Sequence, residues 1–332
     1  MAYILAGDVG GTKTVLAIFK VISGSLYEVC NQTYPSGEHQ RFEDLLQQFL
    51  KDEVPAELAT GQIQAAVFGI AGPINKQKCV TTNLPWFIDG QEVSTELNIS
   101  KVHLLNDLES AAYGVLQLEK FHSLNPDGFL QDGHIAVIAA GTGLGEAIMY
   151  FDGKNHHAMP TEGGHCEFAP QSEIEDELLL FLRERFKAHI SVERILSGDG
   201  FGTLYDFFKS KKPELVNKEL EQKMRNGDRN AIISQAGLQK TDAICQDVMS
   251  LFCRIYGAEA GNLALKCLPL GGVYIAGGIA PKIRPALESG GFMQGFLDKG
   301  RMTHAIEHIP VRIVDDPEAP LLGAAHFAAR LV

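Results

Sequence analysis

The sequence predicts an α/β protein made of two related halves. Three observations carry this. Apolar runs of strand length alternate with amphipathic stretches of helical spacing in the first part of the chain. A strand, a turn of glycine and threonine, and a second strand occur at 3–19 and again at 135–150. The chain has 332 residues, 45% of them apolar, which is core material for about two domains.

The opening unit runs Ala2-Tyr3-Ile4-Leu5-Ala6, turns on Gly7-Asp8-Val9-Gly10-Gly11-Thr12-Lys13-Thr14 and leaves through Val15-Leu16-Ala17-Ile18-Phe19. Glycine lets backbone N–H groups approach a phosphate, and Asp8 stands where it can face a metal-bound phosphate. A tight hairpin with a polar tip fits the same residues. A Walker loop does not: Thr12, not glycine, precedes Lys13, and the β-branched run after it is a strand pattern.

Strands continue to about residue 30 through a turn at Ser23-Gly24. Phe42, Leu45, Leu46, Phe49 and Leu50 share one helical face. Residues 64–70 form a buried-strand pattern closed by Ala71-Gly72-Pro73, 93–97 a short helix, 102–105 a strand and 111–118 a helix. The second unit is the strand 135–140, the turn Gly141-Thr142-Gly143-Leu144-Gly145 and the strand 146–150. A helix over 174–189 has acids at its start and bases at its end, which suits its dipole. Residues 209–230 are charged and pattern as exposed helix and loop. The stretch 232–268 holds two helices, the second capped by Thr241 or Asp242, with Gly257 and Gly261 four apart for close helix packing. Gly271 to Ala276 runs as a strand into Gly277-Gly278, a turn expected to open a helix and to offer a flat surface to a ring. A strand at 311–314, a break at 315–320 and a helix at 321–331 complete the pattern.

The formal net charge of -12 argues against general nucleic-acid binding. It leaves a nucleotide ligand open, since backbone N–H groups and Mg²⁺ can carry phosphates. Six cysteines without a CxxC pair predict reduced, mostly buried thiols. No stretch reaches the length of a membrane span and no leader pattern is present. A cytoplasmic protein with neither membrane nor nucleic acid as partner is expected.

Three polar clusters stand out. Asn106-Asp107 follows a strand, where ligands gather in open α/β sheets; Asp107 serves equally as the cap of the next helix. In Thr161-Glu162-Gly163-Gly164-His165 two glycines let Glu162 and His165 converge on one ligand. A structural loop is the alternative, and one Glu with one His is too few for zinc. Glu193 is either an N3 capping glutamate or a further ligand-facing carboxylate. Together these Asn, Asp, Glu and His side chains suit a polyol.

Six motifs in this order resemble the bacterial-type glucokinases, within the superfamily of hexokinases, acetate kinase, actin and the heat-shock ATPases. Gly7 to Thr12 is similar to the first phosphate motif, Ala140 to Gly145 to the second, and Gly271 to Ile279 to the adenosine motif. Leu105-Asn106-Asp107, Glu162 to His165, and Glu193 to Gly198 are similar to the three sugar-binding segments. The resemblance covers most of the chain. The cysteine-rich zinc motif of the ROK-type sugar kinases is missing, since only Cys166 follows His165.

The resemblance implies a two-domain actin-like ATPase fold, ribonuclease H-like, with an interdomain cleft. The small domain would take 1–109 completed by 312–332, and the large domain 110–311. Glucose and ATP would be the ligands, with Asp107 as catalytic base. Asn106, Glu162, His165, Glu193 and Asn83 would join Asp107 at the sugar. Gly10, Gly11, Thr12, Gly141, Thr142, Gly277 and Gly278 would face ATP, and Asp8 would hold Mg²⁺ through water. A homodimer is implied too. A sugar-sensing repressor is the rival class; the strand pattern begins at residue 3, which leaves it no DNA-binding domain. Acetate kinase is a second rival, and the polyol-suited set favours a hexose over it. That set separates neither glucose from mannose or glucosamine, nor ATP from ADP or polyphosphate.

Overall fold

A computed structural model describes residues 2–55, 58, 62–81 and 84–332. They form two compact units: residues up to Glu119 with Asp316–Val332, and Lys120–Asp315.

The first unit begins with β1 (Ala2–Val9), β2 (Lys13–Ile22) and β3 (Ser25–Pro35), then α1 (Phe42–Asp52) and β4 (Ile63–Ile70). Three short antiparallel strands follow, β5 (Ile74–Asn75), β6 (Lys78–Val80) and β7 (Phe87–Asp89). The chain continues through α2 (Gly90–Leu97), β8 (Lys101–Asn106) and α3 (Asp107–Val115). The main sheet has the order β3-β2-β1-β4-β8. β1 is antiparallel to β2 and parallel to β4, and β8 is parallel to β4. The predicted face of α1 is the buried one: Phe42, Leu45, Leu46 and Phe49 are fully covered. Phe42 meets Phe68 edge-on at 5.0 Å and lies 5.7 Å from Trp86. The Trp86 indole donates to the His39 carbonyl, so its polar edge is satisfied where its rings are buried.

The second unit repeats the plan. It holds β9 (His122–Ser123), β10 (Ile135–Ala140), β11 (Leu144–Phe151) and β12 (His156–Pro160). Helices α4 (Glu173–Phe186), α5 (Gly198–Lys211), α6 (Lys218–Asn226), α7 (Arg229–Leu238) and α8 (Ala243–Cys267) follow. Then come β13 (Val273–Ala276), α9 (Arg284–Glu288), α10 (Gly291–Leu297) and β14 (Val311–Ile313). The sheet order is β12-β11-β10-β13-β14-β9. β10 is antiparallel to β11 and parallel to β13, as β1 is to β2 and β4. Finally α11 (Ala319–Ala329) packs on α3, β1 and β4 in the first unit.

Several expectations change. Strand β12 and helix α5 carry no signal that the sequence reading used. The second glycine turn is shorter than expected, because Leu144 and Gly145 already pair with Ala140 and Ala139. The turn at Gly277-Gly278 does not open a helix directly; α9 starts at Arg284, after Pro281. Asp242, not Thr241, caps α8 by accepting from the Cys245 N–H. All six cysteines are unbonded, with Cys79, Cys245 and Cys253 buried and Cys166 exposed. Among the described residues no helix is long and apolar enough to cross a membrane.

The paired glycines of α8 do allow close packing. A Cβ on Gly257 would overlap the Phe292 carbonyl of α10, and one on Gly261 the Phe296 carbonyl. Gly257→Ala should therefore lower stability by ~1–3 kcal/mol, despite alanine's better helix propensity. Thermal unfolding checks this: a Tm at or above the parent's would mean that the two helices separate at no cost.

Candidate active site

The first glycine turn is set by buried hydroxyls. The Gly10 N–H donates to the Lys13 carbonyl across the turn. Ser36, fully buried at the end of β3, donates from Oγ to the Gly10 carbonyl at 2.7 Å and from N–H to the Thr12 carbonyl. Its Oγ also lies 2.9 Å from the buried Thr14 Oγ1. Ser36 was absent from the sequence reading, since an isolated serine after a strand has no motif around it.

Asp8 lies two residues before this turn. Its carboxyl is pushed up to about 6, first by burial and then by the charge of Asp107, with Lys13 opposing. Asp107 is exposed at the first turn of α3. The cap of that helix is Asn106. Its Oδ1 accepts the Leu108 N–H at 2.9 Å, and Glu109 accepts the Asn106 N–H in return. The expectation that Asp107 is the cap is thereby corrected, although its Oδ1 also lies 2.8 Å from the Leu108 nitrogen. Capping follows the Asn-x-x-Glu spacing, which the sequence does contain. Asn106 Nδ2 donates to the Gly72 carbonyl, which fixes the amide and leaves one N–H.

In the second unit the turn Gly141-Thr142-Gly143 is held from two sides. The Gly141 carbonyl accepts from the Gly198 N–H at the start of α5. Glu193 Oε2 accepts from the Leu144 N–H at 3.0 Å, and a Cβ on Gly143 would collide with it. Glu193 is therefore not a helix-capping glutamate; it lies in the short 3-10 turn Val192–Arg194. Beside it, Gly277 has φ +83° and packs on the Ala140 carbonyl, where a side chain would clash. Gly277 thus serves the backbone, and Ile279 N–H donates to the same carbonyl. At Gly141 and Gly278 an added Cβ would meet nothing within 4 Å. The Thr142 and Gly277-Gly278 turns therefore adjoin each other at the carboxyl ends of parallel neighbours β10 and β13. A polar cavity of about 360 Å³ opens beside Thr142, lined also by Glu193, Arg194, Ser197, Asp199 and Arg229.

Glu162, His165 and Glu193 come together. His165 Nε2 lies 3.9 Å from Glu162 Oε2, and His165 Nδ1 lies 3.8 Å from Glu193 Oε1. The two segments are laced by a bridge between Glu167 and Ser191 and by the Val192 N–H to the Cys166 carbonyl. His189 Nε2, also missed, lies 2.8 Å from the His165 carbonyl oxygen. Of the expected sugar contacts, Asn83 lies outside the described residues.

The residues fit Mg²⁺ with a nucleotide better than a closed metal cage. Asp8 offers a carboxylate with Asp107 near it, and among the described residues no group of three His, Cys, Asp or Glu could hold a metal. Mg²⁺ commonly uses one or two carboxylates, water and substrate phosphates.

The family model described as Glucokinase matches residues 5–331. A glucokinase of Nostoc punctiforme is 41% identical, with 100% of each chain covered. The crystal structure of a glucokinase from an Antarctic psychrotroph superposes with a TM-score of 0.85 at 26% identity, over 99% of each chain. The structure of a Balamuthia mandrillaris glucokinase in complex with glucose shares the fold, with a TM-score of 0.78 at 23% identity over 99% of this chain and 94% of that one. The fold is the actin-like two-domain ATPase fold, and the chain belongs to the glucokinase family.

Proposed function

We propose that the chain transfers the γ-phosphoryl group of ATP to the 6-hydroxyl of glucose, giving glucose 6-phosphate and ADP, with the residue roles that follow. The observation that carries the reading is the double engagement of Glu193, which faces His165 with one oxygen and holds the second glycine turn with the other. One side chain thereby couples a polyol-suited cluster to a phosphate loop.

Glu162, His165, Glu193 and Asn106 would bind sugar hydroxyls, with Asn83 beside them. Asp107 accepts the proton of the 6-hydroxyl as that oxygen bonds to the γ-phosphorus and the bond to the ADP oxygen breaks. Backbone N–H groups and hydroxyls at Gly10, Gly11, Thr12, Gly141 and Thr142 stabilise charge on the transferred group. The turn at Gly277-Gly278 takes the adenosine. Asp8 would hold Mg²⁺ through water; bound Mg²⁺ neutralises phosphate charge. Cytoplasmic location and homodimerisation belong to the same proposal. The unbonded cysteines support the first, and sedimentation tests the second.

A coupled assay offering glucose, mannose, fructose and glucosamine with ATP, ADP or polyphosphate tests the activity. Fast turnover only with glucose and ATP is expected. Tight glucose binding without turnover on any pair would instead mark a sugar sensor.

Asp107→Ala should keep glucose affinity within a few-fold and lose about 10²–10⁴ in kcat; a kcat near the parent's removes the base. His165→Ala should raise the glucose KM, and an unchanged KM would take the imidazole out of the sugar site. Because burial and Asp107 hold the Asp8 proton up to about pH 6, protons compete with Mg²⁺ there. The Mg²⁺ concentration for half-maximal rate should climb as pH falls through that value, by about tenfold per unit below it. A flat dependence would place the cation elsewhere.

A further inference from the structure

The turn that carries Glu162 and His165 rests on a buried carboxyl. Glu146 follows the second glycine turn on β11 and is 1% exposed. Its carbonyl accepts from Thr161 Oγ1 at 2.9 Å, and that oxygen accepts from the Gly163 N–H at 3.0 Å. Its carboxyl lies directly against Gly163, where any Cβ would collide with Oε2. Oε1 is buried and has no hydrogen-bond partner among the described residues.

Glu259 of α8 is itself buried, and its charge acts on this carboxyl. Asn262 Nδ2 donates to its Oε2 at 3.0 Å, and the half-exposed Lys266 Nζ lies 3.7 Å from its Oε1. The other titratable groups around the pair are Tyr256 and Cys267, both pushed up by burial, and Lys299, which flanks Glu259 and is pushed down by burial. With one oxygen unpartnered and its side chain enclosed, Glu146 cannot ionise cheaply beside the Glu259 charge. Burial first, then the Glu259 charge, holds the Glu146 carboxyl well above the ordinary range.

We propose that the buried Glu146 carboxyl, lying uncharged against Gly163, positions the Glu162–His165 turn for sugar binding, so that its ionisation weakens glucose affinity. The inference rests on the sugar-binding role proposed for Glu162 and His165. Glu146 is a positioning residue, acting through the backbone of Gly163.

The test follows glucose KM, kcat and Tm of the full chain from about pH 6 to about pH 9. In the parent, KM should rise at the alkaline end with kcat nearly constant. Tm should fall there, because a proton bound more tightly in the folded state is being removed. Glu146→Gln, which keeps the shape and a donor without the titration, should flatten the KM profile and hold Tm above the parent's at the alkaline end. Glu146→Ala, which removes the support, should raise KM about threefold to thirtyfold at every pH. If Glu146→Ala does not fold, Glu259→Gln, which removes a charge that raises the Glu146 titration, should move the rise in KM to lower pH. A Glu146→Gln protein whose KM and Tm profiles run parallel to the parent's overturns the proposal. If His165→Ala leaves the glucose KM unchanged, the sugar assignment fails. The Tm comparison still decides whether Glu146 keeps its proton in the folded protein.

Discussion

The way two central strands end sets what this chain can do. β1 and β10 each pair antiparallel with a hairpin partner on one side and parallel with a distant strand on the other. A parallel neighbour needs a long crossover, whereas the hairpin partner requires an immediate reversal. The reversal happens at the carboxyl end, and it frees N–H groups from the ladder. Such groups need partners. Here the protein fixes the carbonyls of the turns, with Ser36 on one and Gly198 on the other, and so sets the direction of their N–H groups in advance. Donors fixed beforehand need no reorganisation when charge develops, and that makes them effective against a phosphoryl group.

Much of this was legible in the sequence because it is local. Gly10, Gly141 and their flanking apolar runs are contiguous, and the repeat of that pattern foretells the repeat of sheet order. The face of α1 also follows from spacing within one or two turns of helix, and the same local signal narrows the α8 cap to Thr241 or Asp242. What stayed hidden depends on long-range meetings. Ser36 lies 26 residues from the carbonyl it binds, and Glu193 lies 49 residues from Leu144; nothing in either neighbourhood announces the partner. Helix α5 has no helical signal because three of its first five residues, Gly198, Gly200 and Gly202, are glycines, which are poor helix formers. Gly200 is required there, since a Cβ would overlap the Ile195 carbonyl. Tertiary packing overrides propensity in that turn.

An acidic chain that handles a polyanion seems paradoxical only if side-chain charge is taken as the means of holding phosphate. The net charge of -12 resides on side chains, while both glycine turns present backbone. Partial charges on N–H groups act at hydrogen-bond range and are not offset by distant carboxylates screened by solvent and salt. The surface charge can then serve solubility without opposing the site.

On the proposed roles, carboxyls are put to two opposite uses, and their surroundings separate them. Asp8 is partly exposed, with Lys13 nearby lowering its titration, so burial and Asp107 raise it only to about 6. At neutral pH it is mostly ionised, as a residue attracting a cation must be. Glu146 is fully enclosed and feels the charge of Glu259, so it keeps its proton to higher pH. Activity therefore requires a pH above the Asp8 titration and below that of Glu146. Each carboxyl has an acid that raises its titration and a lysine that lowers it, and burial is the larger cause in both; the window exists because Glu146 is fully covered while Asp8 is partly exposed.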